Sequence, residues 1–246
     1  MKVLAFDTSS KALSLAILED KQLLAETTIN IKKNHSITLM PAIDFLMANL
    51  DLTPKDLDRI VVAKGPGSYT GLRIAVATAK TLAHTLNIEL VGMSSLLALV
   101  PSQQEGLVVP LMDARRNNVY AGFYENAQSV LPEAHLSFAE VLEQVKDAEQ
   151  VTFVGEVGVF AEQIQERLPQ ANYQEIGTFV EQIQEHLPRT DYKETLPNAA
   201  NLALWAWDKE ADSLHDFVPN YLKRVEAEEN WLKNHAESGE SYIKRL

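Results

Sequence analysis

Apolar and polar positions along the chain group first into short extended runs and then into longer runs at helical spacing. Val3 to Phe6, Leu13 to Leu18 and Leu23 to Ile31 read as three strands, with Asp20-Lys21 turning between the last two. Ser36 to Leu50 has helical spacing. Thr53-Pro54-Lys55-Asp56 then supplies a cap, a first-turn proline and an acidic third position, so a short helix begins there. Arg59 to Lys64 is a strand, Gly71 to Leu86 a helix, Glu89 to Gly92 a short strand and Ser94 to Val100 a helix. Three strands followed by alternating helices and strands predict an α/β fold.

The second half echoes the first. At an offset of 106, Leu4-Ala5-Phe6-Asp7 faces Pro110-Leu111-Met112-Asp113, and Leu13 to Ile17 faces Val119 to Phe123. Each half shows an apolar strand ending in aspartate, a polar turn and a second apolar strand, which implies two related α/β units. Ser137-Phe138-Ala139-Glu140 is a capping box opening a helix, Val151 to Val154 is a strand ending at Gly155, and Asn198 to Lys209 is helical. Phe160 to Glu175 returns at an offset of 19: Glu162 to Glu166 as Glu181 to Glu185, Leu168-Pro169 as Leu187-Pro188, and Tyr173 as Tyr192. Two copies do not make a solenoid, and a tandem duplication of 160–192 that lengthens the surface of the second half is expected. The organisation predicted is an N-terminal unit over 1–104, a C-terminal unit over 105–220 and a charged, frayed tail over 221–246.

The two long N-terminal helices are apolar nearly all round. In the first, Leu39, Ile43, Leu46 and Leu50 make one stripe, while Ile37, Met40 and Met47 make another on a different face. In the second, Leu72, Val76, Ala79, Ala83 and Leu86 form a stripe that Ile74, Ala75 and Ala77 extend. A surface helix packed on a sheet needs one stripe only. Either the chain covers both sides itself or these helices form a partner-binding patch, on which methionines give an adaptable surface.

Three glycines fall within seven residues in Lys64-Gly65-Pro66-Gly67-Ser68-Tyr69-Thr70-Gly71-Leu72-Arg73-Ile74. Such a rigid turn aims at a helix N-terminus, where free N–H groups favour anions. The phosphate-loop consensus requires Gly-Lys-Ser/Thr at its end, and Gly71 is followed by Leu72 and Arg73, so the lysine and hydroxyl of that site are absent. Ser68 reads as the helix cap, and Thr70 displaces the second glycine of a nucleophile elbow. Asp7-Thr8-Ser9 after a buried strand suits a nucleotide phosphate or Mg²⁺, or equally a turn closed by Asp7 on its own backbone. Asp113-Ala114-Arg115 repeats that pattern. Asp7, Thr8, Gly65, Gly67 and Asp113 are therefore the candidates for holding a cofactor. No two of the six histidines lie three or four apart, so no helical metal pair is expected.

Composition narrows the function. The 246 residues carry 22 basic and 34 acidic side chains, a net charge of −12 that repels nucleic acid unless lysines and arginines are concentrated on one face. With no cysteine there is no disulfide or thiolate site. No run approaches about 20 apolar residues, and Met1 to Phe6 meets Asp7 too early for a signal-peptide core, so a cytoplasmic location is expected.

Asp7-Thr8-Ser9, His35 at the first helix, Lys64 to Ile74, Asp113-Ala114-Arg115 with Val119-Tyr120, and Pro219-Asn220-Tyr221-Leu222-Lys223-Arg224 occur in one order that resembles the TsaB (YeaZ) family of threonylcarbamoyladenosine biosynthesis on tRNA. The resemblance is strong over the first half, thins after Gly155 and returns near Pro219. It implies an ASKHA-type fold (actin, sugar kinase, Hsp70-like) and a non-catalytic paralogue of TsaD, whose His-x-Glu-x-His metal motif this sequence lacks. It further implies that the two N-terminal helices pack against a TsaD-like subunit and that a TsaE-like ATPase joins them. The contacts expected are His35, Leu39, Met40, Ile43, Met47, Leu72, Arg73, Val76, Ala79 and Lys80. ATP or ADP and Mg²⁺ would act at the level of the complex, and tRNA would be held only through it. Two other readings remain open from the residues: a self-sufficient Mg-nucleotide-dependent transferase using Asp7 and Asp113, and a homodimer built on the same helices.

Overall fold

The computed structural model describes residues 1–31, 34–101, 106–126, 128–167, 171–174 and 190–223. Strands β1 (Lys2–Asp7), β2 (Leu13–Glu19) and β3 (Gln22–Ile29) form an antiparallel meander in which Phe6 faces Leu15 and Asp7 faces Ser14. Helix α1 (His35–Asn49) follows, its start held by the Asn34 side chain accepting the Ser36 N–H at 3.1 Å. After a 3₁₀ turn at Pro54–Asp56, closed by the capping box of Thr53, β4 (Arg59–Ala63) runs parallel to β1. Helix α2 (Tyr69–Leu86) crosses over to β5 (Glu89–Met93), also parallel, and the sheet has the order β3-β2-β1-β4-β5.

The second sheet repeats this plan. Strands β6 (Leu107–Asp113), β7 (Asn118–Glu125) and β8 (Gln128–Ser137) form the meander. Helix α3 (Phe138–Val145) opens on the Ser137–Glu140 capping box, and β9 (Val151–Gly155) lies parallel to β6. Then come α4 (Ala161–Arg167), β10 (Ala171–Gln174), β11 (Thr190–Glu194) and α5 (Ala199–Trp205). The order β10-β11-β9-β6-β7-β8 matches the first sheet strand for strand, with β11 in the place of β5 and β10 added outside it. The Asp7–Asp113 echo is a repeat of the central strand, but the hairpin that follows is one residue shorter in the second half: Asp113 faces Val119 where Asp7 faces Ser14, so the second strands align at an offset of 105 and not the expected 106.

One face of the first sheet (Leu4, Phe6, Leu15, Ile60, Val62) packs under α1 and α2. Its other face packs on Leu96–Val100, α5 and residues of the second sheet such as Met112 and Val154, joining the two halves. Beneath α3 and α4 lies a third core, where Phe138 stacks on Phe160 with centroids 4.5 Å apart.

Three expectations change. The Ser94–Val100 helix is only a 3₁₀ turn at Leu97–Leu99. The Asn198–Lys209 helix ends at Trp205, because the Arg59 guanidinium takes the Ala206 and Trp207 carbonyls at 2.9 Å each. The duplication does more than lengthen a surface, since β10 and β11 are strands of the second sheet. The second copy's 179–189, Lys32-Lys33 and the tail from Arg224 onward lie outside the described residues. Among the described residues, no helix is long and apolar enough to cross a membrane.

Candidate functional site

The glycine turn is closed by the chain itself. Gly65 and Gly67 have φ of +126° and +149°, backbone that favours glycine. A Cβ at Gly65 would lie 2.2 Å from the Asn220 carbonyl oxygen, and one at Gly67 would lie 2.4 Å from that of Ser9. The Ser9 carbonyl already accepts the Ser68 N–H at 2.6 Å, and the Thr8 hydroxyl donates to the Gly71 carbonyl at 2.8 Å. The glycines thus let three backbone segments meet: the β1–β2 turn, the start of α2 and the C-terminal segment. Ser68 caps α2, as its spacing predicts, by accepting the Gly71 N–H at 3.3 Å.

Asp7 sits beneath this junction, fully buried, and its Oδ1 accepts the Ser9 N–H at 2.6 Å. Burial pushes its carboxyl up to about 6, while Ser9 and the nearby His35 pull it back. The His35 ring Nε2 donates to the Ser10 carbonyl at 2.9 Å, so Nε2 carries the proton and ties α1 to the same turn.

Asp113 occupies the equivalent strand end in a different setting. It is exposed, its Oδ1 accepts the Arg115 N–H at 2.8 Å, and its own N–H donates to the Glu156 carboxylate at 2.8 Å. It lines a cavity of about 370 Å³ between the two halves, together with Lys11, Asn30, Glu156 and Thr195. Of the five cofactor candidates only Asp113 faces this cavity; Asp7, Thr8, Gly65 and Gly67 do not line it. Among the described residues, no three His, Asp or Glu side chains group as metal ligands would.

The helix pair divides differently from the sequence reading. Leu39, Ile43, Met47, Leu72, Val76 and Ala79 are at most 5% exposed and belong to the core between the helices and the first sheet. This corrects the expected contact face, because those stripes are what the sheet itself requires. Met40 and Arg73 are exposed; His35 and Lys80 are half-buried, and the Lys80 ammonium donates to the Phe217 carbonyl at 3.0 Å. The outward side of α1 carries Ile37 (68% exposed), Met40 (46%) and Phe45 (64%), with exposed Pro41 and Ala48 beside them and the charged Asp44 among them. The sequence reading placed Ile37 with Met40 but omitted Phe45, which lies eight residues from Ile37 and hence on the same side. Beside the start of α2, Tyr69 stacks on Tyr221 at 5.1 Å and Arg73 lies 5.6 Å over the Tyr69 ring.

A family model described as "TsaD: tRNA N6-adenosine threonylcarbamoyltransferase" matches residues 22–231. The chain is 38% identical to the tRNA threonylcarbamoyladenosine biosynthesis protein TsaB of Bacillus subtilis, covering 95% of this chain and 99% of that protein. It is 32% identical to TsaB of Buchnera aphidicola over 52% of this chain and 63% of that one. Among solved structures, YeaZ from Pseudomonas aeruginosa superimposes with a TM-score of 0.70 at 26% identity, over 90% of this chain and 99% of that chain. An activator of 2-hydroxyisocaproyl-CoA dehydratase from Clostridium difficile shares the fold, with a TM-score of 0.50 at 10% identity over 85% and 95%. The fold is the ASKHA-type α/β arrangement of two related sheets. Matched along nearly its whole length, the chain belongs to the TsaB (YeaZ) family of tRNA threonylcarbamoyladenosine biosynthesis proteins.

Proposed function

We propose that this chain is a non-catalytic subunit of tRNA threonylcarbamoyladenosine formation, which binds a TsaD-like threonylcarbamoyltransferase and supports modification of the adenosine next to the anticodon. The observation that carries this reading is the outward stripe of Ile37, Met40 and Phe45 on α1, apolar area that a water-facing helix has no reason to keep. Arg73 and the Tyr69–Tyr221 pair extend the face across the start of α2. The closed glycine turn agrees with a supporting role, since the backbone atoms of Ser9 and Asn220 fill the space beside its α-carbons. On this reading nucleotide and a TsaE-like ATPase act in the assembled complex, tRNA is held by that complex in the cytoplasm, and a second copy takes the α1 face when the partner is absent.

The test is calorimetry with the purified TsaD-family counterpart. Phe45→Glu combined with Ile37→Glu should weaken the complex roughly a hundredfold or more, because two charges enter an apolar contact. The variant's own melting temperature should hold, since both side chains are already exposed. Unchanged affinity in this folded variant would sink the docking face. Micromolar ATP binding by the isolated chain, lost in Asp7→Ala, would favour a self-sufficient transferase instead.

A further inference from the structure

The two sheets treat the same position in opposite ways. In the second sheet β11, β9 and β6 run parallel, and their carboxyl ends are Glu194, Gly155 and Asp113. From β6 the chain turns into β7 on one side, and from β9 it travels out to β11 on the other. Connections leaving in opposite directions open a crevice beyond the strand ends, which is where open α/β sheets hold ligands. The first sheet has the same switch between β1 and β4, but there the glycine turn fills it, with the Ser68 N–H on the Ser9 carbonyl and the Thr8 hydroxyl on that of Gly71. The second crevice stays open, at about 370 Å³, inside the usual range of about 300–1,000 Å³ for small-molecule sites.

Charge divides its lining between the halves. Lys11 in the β1–β2 turn and Asn30 after β3 come from the first half, whereas Asp113 and Glu156 come from the second. The two carboxylates are fixed relative to each other, because the Asp113 N–H donates to the Glu156 carboxylate at 2.8 Å and the Glu156 N–H to the Leu111 carbonyl at 2.9 Å. A carboxylate has about four acceptor positions, so each retains capacity for a ligand donor. Leu99, Met112 and Leu196 supply apolar wall.

This pattern selects among ligands. Two carboxylates against one ammonium repel a polyphosphate. A simple amine leaves Lys11 unmatched, and a simple carboxylate meets two like charges. A zwitterion answers both sides through charge-assisted hydrogen bonds, and a short apolar body suits the wall.

We propose that this cavity binds an amino-acid zwitterion, with the ligand ammonium on Asp113 and Glu156 and its carboxylate on Lys11 and the Asn30 amide. Such a ligand touches both halves of the molecule and ties them together. None of Ile37, Met40 and Phe45 lines the cavity. The site is therefore independent of the docking reading above, and its failure leaves that reading untouched.

Titration of the isotope-labelled full chain, followed by amide chemical shifts, tests it with two isomeric probes. Leucine carries both charges on one carbon, and ε-aminocaproate separates them along an apolar stem. At least one should saturate with a Kd on the order of 1 mM, moving the amides of Lys11, Asp113 and Glu156. Hexylamine and caproate, each with a single charge, should bind roughly tenfold or more weakly. Asp113→Asn and Lys11→Met should each weaken the zwitterion by roughly tenfold. Their melting temperatures should hold, since both side chains are exposed. Failure of both isomers to saturate by about 20 mM would overturn the proposal, and so would hexylamine binding as tightly as ε-aminocaproate. Binding of Mg-ATP to the same amides at micromolar concentration would assign the cavity to a nucleotide and overturn it as well.

Discussion

A carboxylate buried under a turn makes stability depend on pH, and Asp7 is such a group. Its folded value is about 6 against an ordinary 3.8, with burial as the main cause. Below 3.8 both folded and unfolded states are protonated and burial costs least. As pH rises toward 6 the unfolded chain gives up its proton while the folded one keeps it, so stability falls across this window and levels off above it. A displacement of this size corresponds to about 3 kcal/mol. Asp7→Asn keeps an oxygen for the Ser9 N–H and removes the ionisation. The difference in unfolding free energy, Asp7→Asn minus wild type, should therefore grow by about 2–3 kcal/mol between pH 4 and pH 6.5. Urea denaturation at steps of half a pH unit measures this, and a difference that stays flat would show Asp7 titrating normally. The hydrogen bond from Ser9 was one of the two readings the sequence left open, because an aspartate and an amide two residues apart meet without help from the rest of the fold.

Elements defined by local spacing were legible in the same way, and those defined by distant partners were not. The caps of α2 and α3, the three-strand meander and the Asp7–Asp113 repeat follow from neighbours a few residues apart or from a recurring pattern. Which side of α1 and α2 faces the sheet did not follow, since stripes on two faces score alike until β2 and β4 are in place. The end of α5 depends on Arg59, more than a hundred residues upstream. Strands β10 and β11 were missed because short polar sequences acquire strand structure only from the edge they join. The glycine turn belongs here too, because the atoms that make its glycines necessary come from Thr8, Ser9 and Asn220. Gly71 makes the point testable at the scale of the helix. Inside α2, alanine is intrinsically better than glycine by about 1 kcal/mol. Here, however, its Cβ would lie 2.0 Å from the Thr8 carbonyl oxygen, so α2 must lift from the β1–β2 turn. Gly71→Ala should thus destabilise by about 2 kcal/mol net, lowering the melting temperature by roughly 4–8 °C. Calorimetric scanning decides between these signs, and a raised melting temperature would show that the turn and helix are not tightly docked.

For the molecule as a whole, charge bears on the division of labour that the proposed complex with a TsaD-like subunit requires. A net charge of −12 over 246 residues surrounds the chain with a field that repels phosphates. Among the described residues, several basic groups are already engaged: Arg59 with Glu89, Lys64 with Asp212, and Lys80 with the Phe217 carbonyl. Arg115 and Arg116 project from the β6–β7 turn, near Asp113 rather than within a broad basic face. Proteins with such a face bind nucleic acid non-specifically at roughly 10⁻⁴–10⁻⁶ M through release of counterions. The isolated chain should fall below this range, giving no retention of tRNA in filter binding up to about 50 μM protein near physiological salt. Adding a TsaD-like subunit should restore retention, and the Phe45→Glu, Ile37→Glu variant should fail to enter that complex while the partner alone behaves as before. Salt-sensitive tRNA binding by the isolated chain at low micromolar concentration would mean that its own surface reads RNA, and would move the tRNA contact from the assembly to this subunit.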